Sequence, residues 1–318
     1  MKMIGSGSHG SVYKSGEEKA TKLMKLSSAS SLTDVLFHMT ANNNLSTCRL
    51  KRVRLYGPLL AVTMERGEMS LLDYINLQRK KHDGRIPLTC LMNILRKLSQ
   101  ILVELHECGI VHGDFTCTNI IVMKSGEFRV IDFGGSTMMG NCIPHQHKCT
   151  YLYRAPETFV ENTCGKGSDA YGLGQIMYYA ITGSYMFDPR YTLAEMAHIL
   201  IYTNEMHMIE SSLAEYIIAC YGEDIDCNIF LRDVIYLLFR CPDDRLGIIM
   251  RHHPSSKVHL KSIAREDLSI VMKYNNRTTR SMSRAKKQIV NFMKYGFIKG
   301  DPYKVFCMLH LVEKINIV

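Results

Sequence analysis

The chain is 318 residues long, 46% hydrophobic and 22% charged, which excludes collagen-like, coiled-coil and disordered classes. That length accommodates one large domain or two modest ones around a substantial core, and no apolar run approaches the ~18 residues that span a bilayer. The net charge of +9 is uneven: residues 251–318 hold 14 Lys/Arg against 4 Asp/Glu, so the basicity belongs to the C-terminal segment and not to the body.

The opening Met1-Lys2-Met3-Ile4-Gly5-Ser6-Gly7 lacks the apolar stretch of a signal peptide. Residues 4–14 read as strand, Gly-rich turn, strand, and Ala20–Lys25 as a short strand. A weak helical pattern runs from Leu32 to Met39 inside a Ser- and Asn-rich stretch. Arg49–Tyr56 and Leu59–Glu65 read as strands joined at Tyr56-Gly57-Pro58. After Gly67 the character becomes helical, first over Leu71–Leu77. Leu91, Ile94, Leu95, Leu98, Ile101, Leu102 and Leu105 then fall at helix spacing, with Pro87 where a helix can start and Gly109 to end it. Ile120–Met123 and Phe128–Ile131 are short strands around Ser125-Gly126, and from Ala170 to about residue 250 the pattern is mainly helical.

These elements predict an α+β fold: a small β-rich lobe over about residues 1–66 and a larger, mostly α-helical lobe over about 67–250. A cleft between two such lobes is a common place for a ligand. Residues 251–318 are expected to form a basic helical extension packed on the domain, with a polyanion or acidic partner (nucleic acid, anionic lipid or an acidic protein face) as the competing reading. The odd count of 11 Cys, scattered without a framework spacing, fits free thiols in a reducing compartment. The expected location is therefore intracellular, cytoplasmic or nuclear, with no membrane span.

Four motifs carry chemistry. Gly5-Ser6-Gly7-Ser8-His9-Gly10 is a glycine turn that lets backbone N–H groups approach phosphate oxygens. A dinucleotide site would want a helix directly after it; here Val12-Tyr13-Lys14 reads as strand, and Lys22 follows on the next strand. The other three are His112-Gly113-Asp114-Phe115-Thr116-Cys117-Thr118-Asn119, then Ile131-Asp132-Phe133-Gly134, then Tyr153-Arg154-Ala155-Pro156-Glu157. Each alone reads as an ordinary turn; the ordered set does not.

Together these stretches resemble the eukaryotic-type protein kinase family over residues 1 to about 250. The resemblance implies a bilobal fold using ATP and Mg²⁺, with Mn²⁺ as a substitute. It implies that Ile4, Gly5, Gly7, Gly10, Val12, Lys22, Glu65 and Ser70 bind ATP, Lys22 pairing with the α/β-phosphates. It also implies that Asp114 is the catalytic base, that Asn119 and Asp132 are metal ligands, and that Thr150 lies near the base in the activation segment. Asp169 would tie down the catalytic-loop backbone, and Arg245 would pair with Glu157. The hinge is expected at Glu65-Arg66-Gly67, with Met64, or else Thr63, guarding the back pocket.

Departures from the family pattern are informative. Gly113 stands where most members have arginine, so no cation is evident for a phosphorylated activation loop. Thr116 replaces the lysine usual two residues after the base. His-Gly-Asp-Phe-Thr is similar to divergent members, the small kinases associated with tRNA modification and some kinases of large DNA viruses, and a viral kinase is the favoured guess. Thr150, seven residues before Glu157, favours protein Ser/Thr substrates, and Thr118 does not indicate a strong basic preference. The only acid between Glu18 and Glu65 is Asp34, which makes it the candidate partner of Lys22; the competing reading is a solvent-facing acid near a helix N-terminus. Cys142, His145, His147 and Cys149 match no common zinc spacing and are read as ordinary loop residues, and His9 as a solvent-facing loop tip. The rival functions are a pseudokinase scaffold, a small-molecule phosphotransferase and a polyanion-binding protein acting through residues 251–318.

Overall fold

The computed structural model describes residues 2–7, 10–41, 46–138, 150–160, 164–202 and 204–252. The glycine-loop tip with His9, the Cys142–Cys149 loop and, from residue 253, the basic segment lie outside the described residues. The chain divides into two compact units. One is formed by the described residues of Met1–Gly67 and Ile131–Ser136, the other by those of Glu68–Val130 and Thr137–Ser256.

The first unit is a β-sheet with one helix. Strands β1 (Lys2–Gly7), β2 (Gly10–Lys14), β3 (Lys19–Lys25), β4 (Leu50–Tyr56) and β5 (Leu59–Glu65) form an antiparallel sheet in the order β1-β2-β3-β5-β4. Register places Lys22 opposite Val12 on one side and Val62 on the other. Side chains alternate across a strand, so Lys22 shares its face with Met24, Leu60, Val62 and Met64, all buried. Thr63 belongs to the opposite face, where its Oγ1 lies 2.9 Å from Thr21 Oγ1. Between β3 and β4 runs α1 (Ala29–Ala41), with Leu32, Val35, Leu36 and Phe37 buried. It begins three residues before the apolar pattern suggests. The Asp132–Gly135 stretch belongs to this unit, and Phe133, fully buried, opens a short 3-10 turn packed against α1.

The second unit is mostly helical, as expected for an α+β chain. It contains β6 (Met69–Ser70), α2 (Leu71–Lys81), α3 (Leu88–Glu107), β7 (Ile110–Val111), β8 (Ile120–Val122), β9 (Phe128–Val130), β10 (Thr137–Met138) and α4 (Pro156–Val160). There follow α5 (Lys166–Thr182), α6 (Leu193–Tyr202), α7 (Glu205–Tyr221), α8 (Ile225–Phe239) and α9 (Pro242–Arg251). The apolar stripe read on α3 is buried from Leu91 to Leu105. Helix α5 packs against α2, α3, α8 and α9 and is the centre of the unit, with Tyr171, Leu173, Ile176 and Met177 buried. Its C-terminal carbonyls are capped by Arg79 of α2, whose guanidinium donates to Ala180, Ile181 and Thr182 oxygens at 3.2, 2.9 and 3.1 Å. Among the described residues no helix is long and apolar enough to cross a membrane.

Candidate active site

Two clusters hold the residues singled out by sequence, one in each unit. In the first, Lys22 is buried on β3 and its Nζ lies 2.8 Å from Asp34 Oδ2 and 3.0 Å from Asp132 Oδ2. Burial alone would lower the ammonium pKa, but the two carboxylates outweigh it and hold it above its ordinary value. Burial likewise opposes ionisation of Asp34, yet Lys22 keeps its pKa below the usual carboxylate value. Asp34 is 3% exposed and sits in the second turn of α1, so the solvent-facing reading of this residue does not hold. Its other oxygen, Oδ1, accepts the Phe133 N–H at 2.7 Å.

The remaining candidates of this unit surround β1, β2 and the end of β5. Gly7 pairs with Gly10 and Gly5 with Val12 across the β1–β2 hairpin, and Ile4 is exposed beside them. Gly10 has φ +147°, and a Cβ there would lie 2.2 Å from the Leu23 carbonyl oxygen, so the hairpin closes against β3 only with glycine at this position. Glu65 ends β5; its carboxylate pairs with Lys51 at 3.4 Å and accepts the Arg49 N–H at 3.3 Å. Arg66 follows, bonded by its N–H and guanidinium to the carbonyls of Glu18 and Glu17.

In the second unit Asp114 lies on the loop between β7 and β8. Its Oδ1 accepts the Thr150 N–H at 2.7 Å and its Oδ2 accepts Asn119 Nδ2 at 2.8 Å. Asn119 Nδ2 also donates to the Asp114 carbonyl at 2.9 Å, which fixes the carboxamide with both hydrogens turned to Asp114. Burial pushes the Asp114 carboxyl up, against the pull of these bonds. The loop is held from beneath by buried Asp169 of α5. Its Oδ2 accepts the His112 N–H at 2.8 Å and its Oδ1 the Gly113 N–H at 2.9 Å. Gly113 has φ +75°. His106, on α3, joins the same carboxylate at 2.9 Å, a contact that no short-range sequence pattern announces. Arg245 Nη1 lies 2.9 Å from both Glu157 oxygens. Ser70 caps α2, its hydroxyl accepting the Asp73 N–H at 3.1 Å. Thr116 is 1% exposed, its hydroxyl 3.0 Å from that of Thr118.

Asn119 and Asp132, each within its own unit, carry side-chain oxygens of the kind that Mg²⁺, a hard cation, takes. The turning of Asn119 Nδ2 onto Asp114 directs the carboxamide oxygen away from it. The Asp132 carboxylate is part-exposed and already in cationic company at Lys22.

The protein kinase domain family matches residues 1–253. Among curated relatives, mitogen-activated protein kinase kinase 2 of Arabidopsis thaliana is 33% identical over 123 residues, 38% of this chain and 32% of that protein. The probable serine/threonine-protein kinase PkwA of Thermomonospora curvata is 32% identical over 141 residues, 42% of this chain and 19% of that protein. Cell division control protein 7 of Schizosaccharomyces pombe is 25% identical over 248 residues, 73% of this chain and 23% of that protein. The chain thus matches about a third or less of the length of each of these relatives. On the match over residues 1–253 and the ordered motifs within it, the chain belongs to the eukaryotic-type protein kinase family.

Proposed function

We propose that this chain transfers the γ-phosphoryl group of ATP to Ser/Thr hydroxyls of proteins. The observation that carries the reading is the fixing of Asp114 by Asn119 Nδ2 and the Thr150 N–H. Phosphoryl transfer asks the protein mainly for positioning and charge neutralisation. Asp114 orients the acceptor hydroxyl and takes its proton on a carboxylate whose second lone pairs remain available. Lys22, aligned by Asp34, would pair with the phosphates under the hairpin of Ile4, Gly5, Gly7, Gly10 and Val12, and Glu65 and Ser70 are proposed as further nucleotide-binding residues. Asn119 and Asp132 would each offer Mg²⁺ an oxygen ligand, and the ion when bound would neutralise phosphate charge. Asp169 holds the catalytic loop through the His112 and Gly113 N–H groups, and the Arg245–Glu157 pair ties α9 to the segment after Thr150.

Ser/Thr specificity rests on Thr150 beside the base. The names of relatives lean the same way, although one similar Drosophila melanogaster protein is named a dual specificity tyrosine-phosphorylation-regulated kinase homolog. The test is incubation with labelled ATP, Mg²⁺ and mixed protein substrates, followed by phosphoamino-acid analysis. Label on serine and threonine is the expected result. Label on tyrosine alone would overturn the specificity, and transfer only to small molecules would overturn the protein substrate.

A further inference from the structure

We propose that the sheet of the first unit binds single-stranded nucleic acid on the face opposite Lys22, at β4 and its neighbours. Arg49, Lys51, Arg52 and Arg54 put four cations into six residues of chain with no acid among them, and all four are exposed. β4 is the outer strand of the sheet, beside β5. Arg52 stands opposite Thr63, Arg54 opposite Ala61 and Tyr56 opposite Leu59. β3 continues these rows, Thr63 to Thr21, Ala61 to Leu23 and Leu59 to Lys25. Side chains alternate along a strand, so Lys22 and its buried neighbours point the other way. Arg52, Arg54, Tyr56, Leu59 and Lys25 thus form one patch. Tyr56 is 54% and Leu59 38% exposed, and Lys25 is exposed as well.

The combination fits a phosphate chain that carries bases. Charge along an edge strand can serve only to block pairing with another strand. Here the register of β4 already breaks between Leu50 and Arg52, an irregularity that itself blunts an edge. Lys51 pairs with Glu65 at 3.4 Å, whereas among the described residues no carboxylate pairs with Arg52 or Arg54. Arg54 Nη1 donates instead to the Tyr56 hydroxyl at 3.2 Å, which sets the guanidinium beside the ring. Residues two apart on a strand are about 7 Å apart. Arg52 and Arg54 therefore present guanidinium forks in a row that an extended single strand can follow phosphate by phosphate. Tyr56 and Leu59 supply the apolar surface on which a base stacks. A duplex turns its bases inward and has nothing to stack there, and an acidic peptide would satisfy the arginines but leave Tyr56 unused. The patch includes neither Lys22 nor Asp114, so the proposal stands apart from the phosphotransfer reading.

The test is fluorescence anisotropy of labelled oligouridylate and oligothymidylate with the full chain, without ATP, over a range of salt. Both are expected to bind, since phosphate and base face are common to RNA and DNA, and the two probes tell which is held more tightly. The Arg52→Ala, Arg54→Ala double variant should make the slope of log K against log salt less steep by about 1.4, two phosphates at about 0.7 each. Tyr56→Ala should weaken binding about 10-fold, and Tyr56→Phe should keep it. Lys80→Ala with Lys81→Ala, exposed residues in the last turn of α2, removes the same charge elsewhere and should leave the slope unchanged. All these side chains are exposed, so each variant should melt with the unaltered chain. No binding at low salt, a slope untouched by the arginine double variant, or an equal change in the Lys80, Lys81 variant would overturn the proposal. Labelled polyglutamate bound as tightly as the oligonucleotides, with the same loss in Tyr56→Ala, would make the patch a site for acidic proteins and overturn the nucleic-acid assignment.

Discussion

Asp34 and Lys22 form an ion pair out of reach of water, and this sets what their substitution does. Sequence reasoning expects Asp34→Ala to lower turnover by about 10- to 100-fold, of order 1.4–2.8 kcal/mol in barrier, with little loss of stability. Burial of both groups changes the second half of that expectation. Removing one partner of a buried pair costs about 3–5 kcal/mol, and the retained contact of Lys22 with Asp132 places this case near the low end. Calorimetry of Asp34→Ala should show that loss. Its pH dependence has a definite sign. Asp34, with a lowered pKa, stabilises above the ordinary carboxylate range and loses the effect as pH falls through its folded value. Lys22, with a raised pKa, stabilises below the ordinary ammonium value and loses the effect as pH rises through its folded value. The melting difference between the unaltered chain and Asp34→Ala should be flat from about pH 5 to 9 and shrink below about pH 4.

Asp114 shifts the other way. Burial raises its pKa, so the acid limb of kcat/KM should fall above the ~3.9 of a free aspartate. Asn119→Ala removes a donor that favours the ionised form and should move that limb further up. A limb at or below 3.9 would contradict the burial argument. At this scale the sequence was informative where few residues competed: Asp34 is the only acid between Glu18 and Glu65. Its second partner was not legible, because residues 34 and 133 are joined by no periodicity. The same holds for His106 on Asp169 and His38 on Phe133, contacts made across long sequence separations.

Elements with enough residues to show a period were legible. The α3 stripe and the β4–β5 hairpin appear close to where apolar spacing and Tyr56-Gly57-Pro58 put them. The two-residue strands β6, β7 and β10 are too short to carry a period. The start of α1 was hidden by serines, which are neutral as helix formers. Helix α5 contains a feature that propensity alone misjudges. Glycine in a helix interior costs about 1 kcal/mol relative to alanine, yet a Cβ on Gly172 would lie 2.6 Å from the Phe115 carbonyl oxygen. That atom belongs to the residue after Asp114. Gly172→Ala should therefore lower kcat more than ATP affinity, and destabilise rather than stabilise. A gain in melting temperature with unchanged kcat would contradict this close approach. Arg79→Ala should cost about 1–3 kcal/mol, because three carbonyls at the end of α5 lose a charged donor.

At the scale of the whole molecule, the α+β class was readable from the order of strand and helix patterns in the sequence. That Ile131–Ser136 belongs with the first unit was not, since its partners on α1 are about 100 residues away in the chain. The +10 balance of residues 251–318 supports a separate prediction. If this segment engages a polyanion, affinity should fall steeply between low and moderate salt in a filter-binding titration; no binding at low salt would leave it an appendage of the domain.

The central claim is the proposed phosphoryl transfer, in which Asp114 is the proposed base and Asp132 a proposed metal ligand. Single-turnover transfer from labelled ATP to a protein substrate, with Mg²⁺, tests it in the unaltered chain, Asp114→Asn and Asp132→Asn. General-base contributions run to about 10²–10⁴-fold, so Asp114→Asn should lose at least about 100-fold in rate while still binding nucleotide. Asp132→Asn should lose most of its Mg²⁺-dependent transfer. Unaltered-chain rates in both variants, or no transfer by the unaltered chain itself, would contradict the assignment.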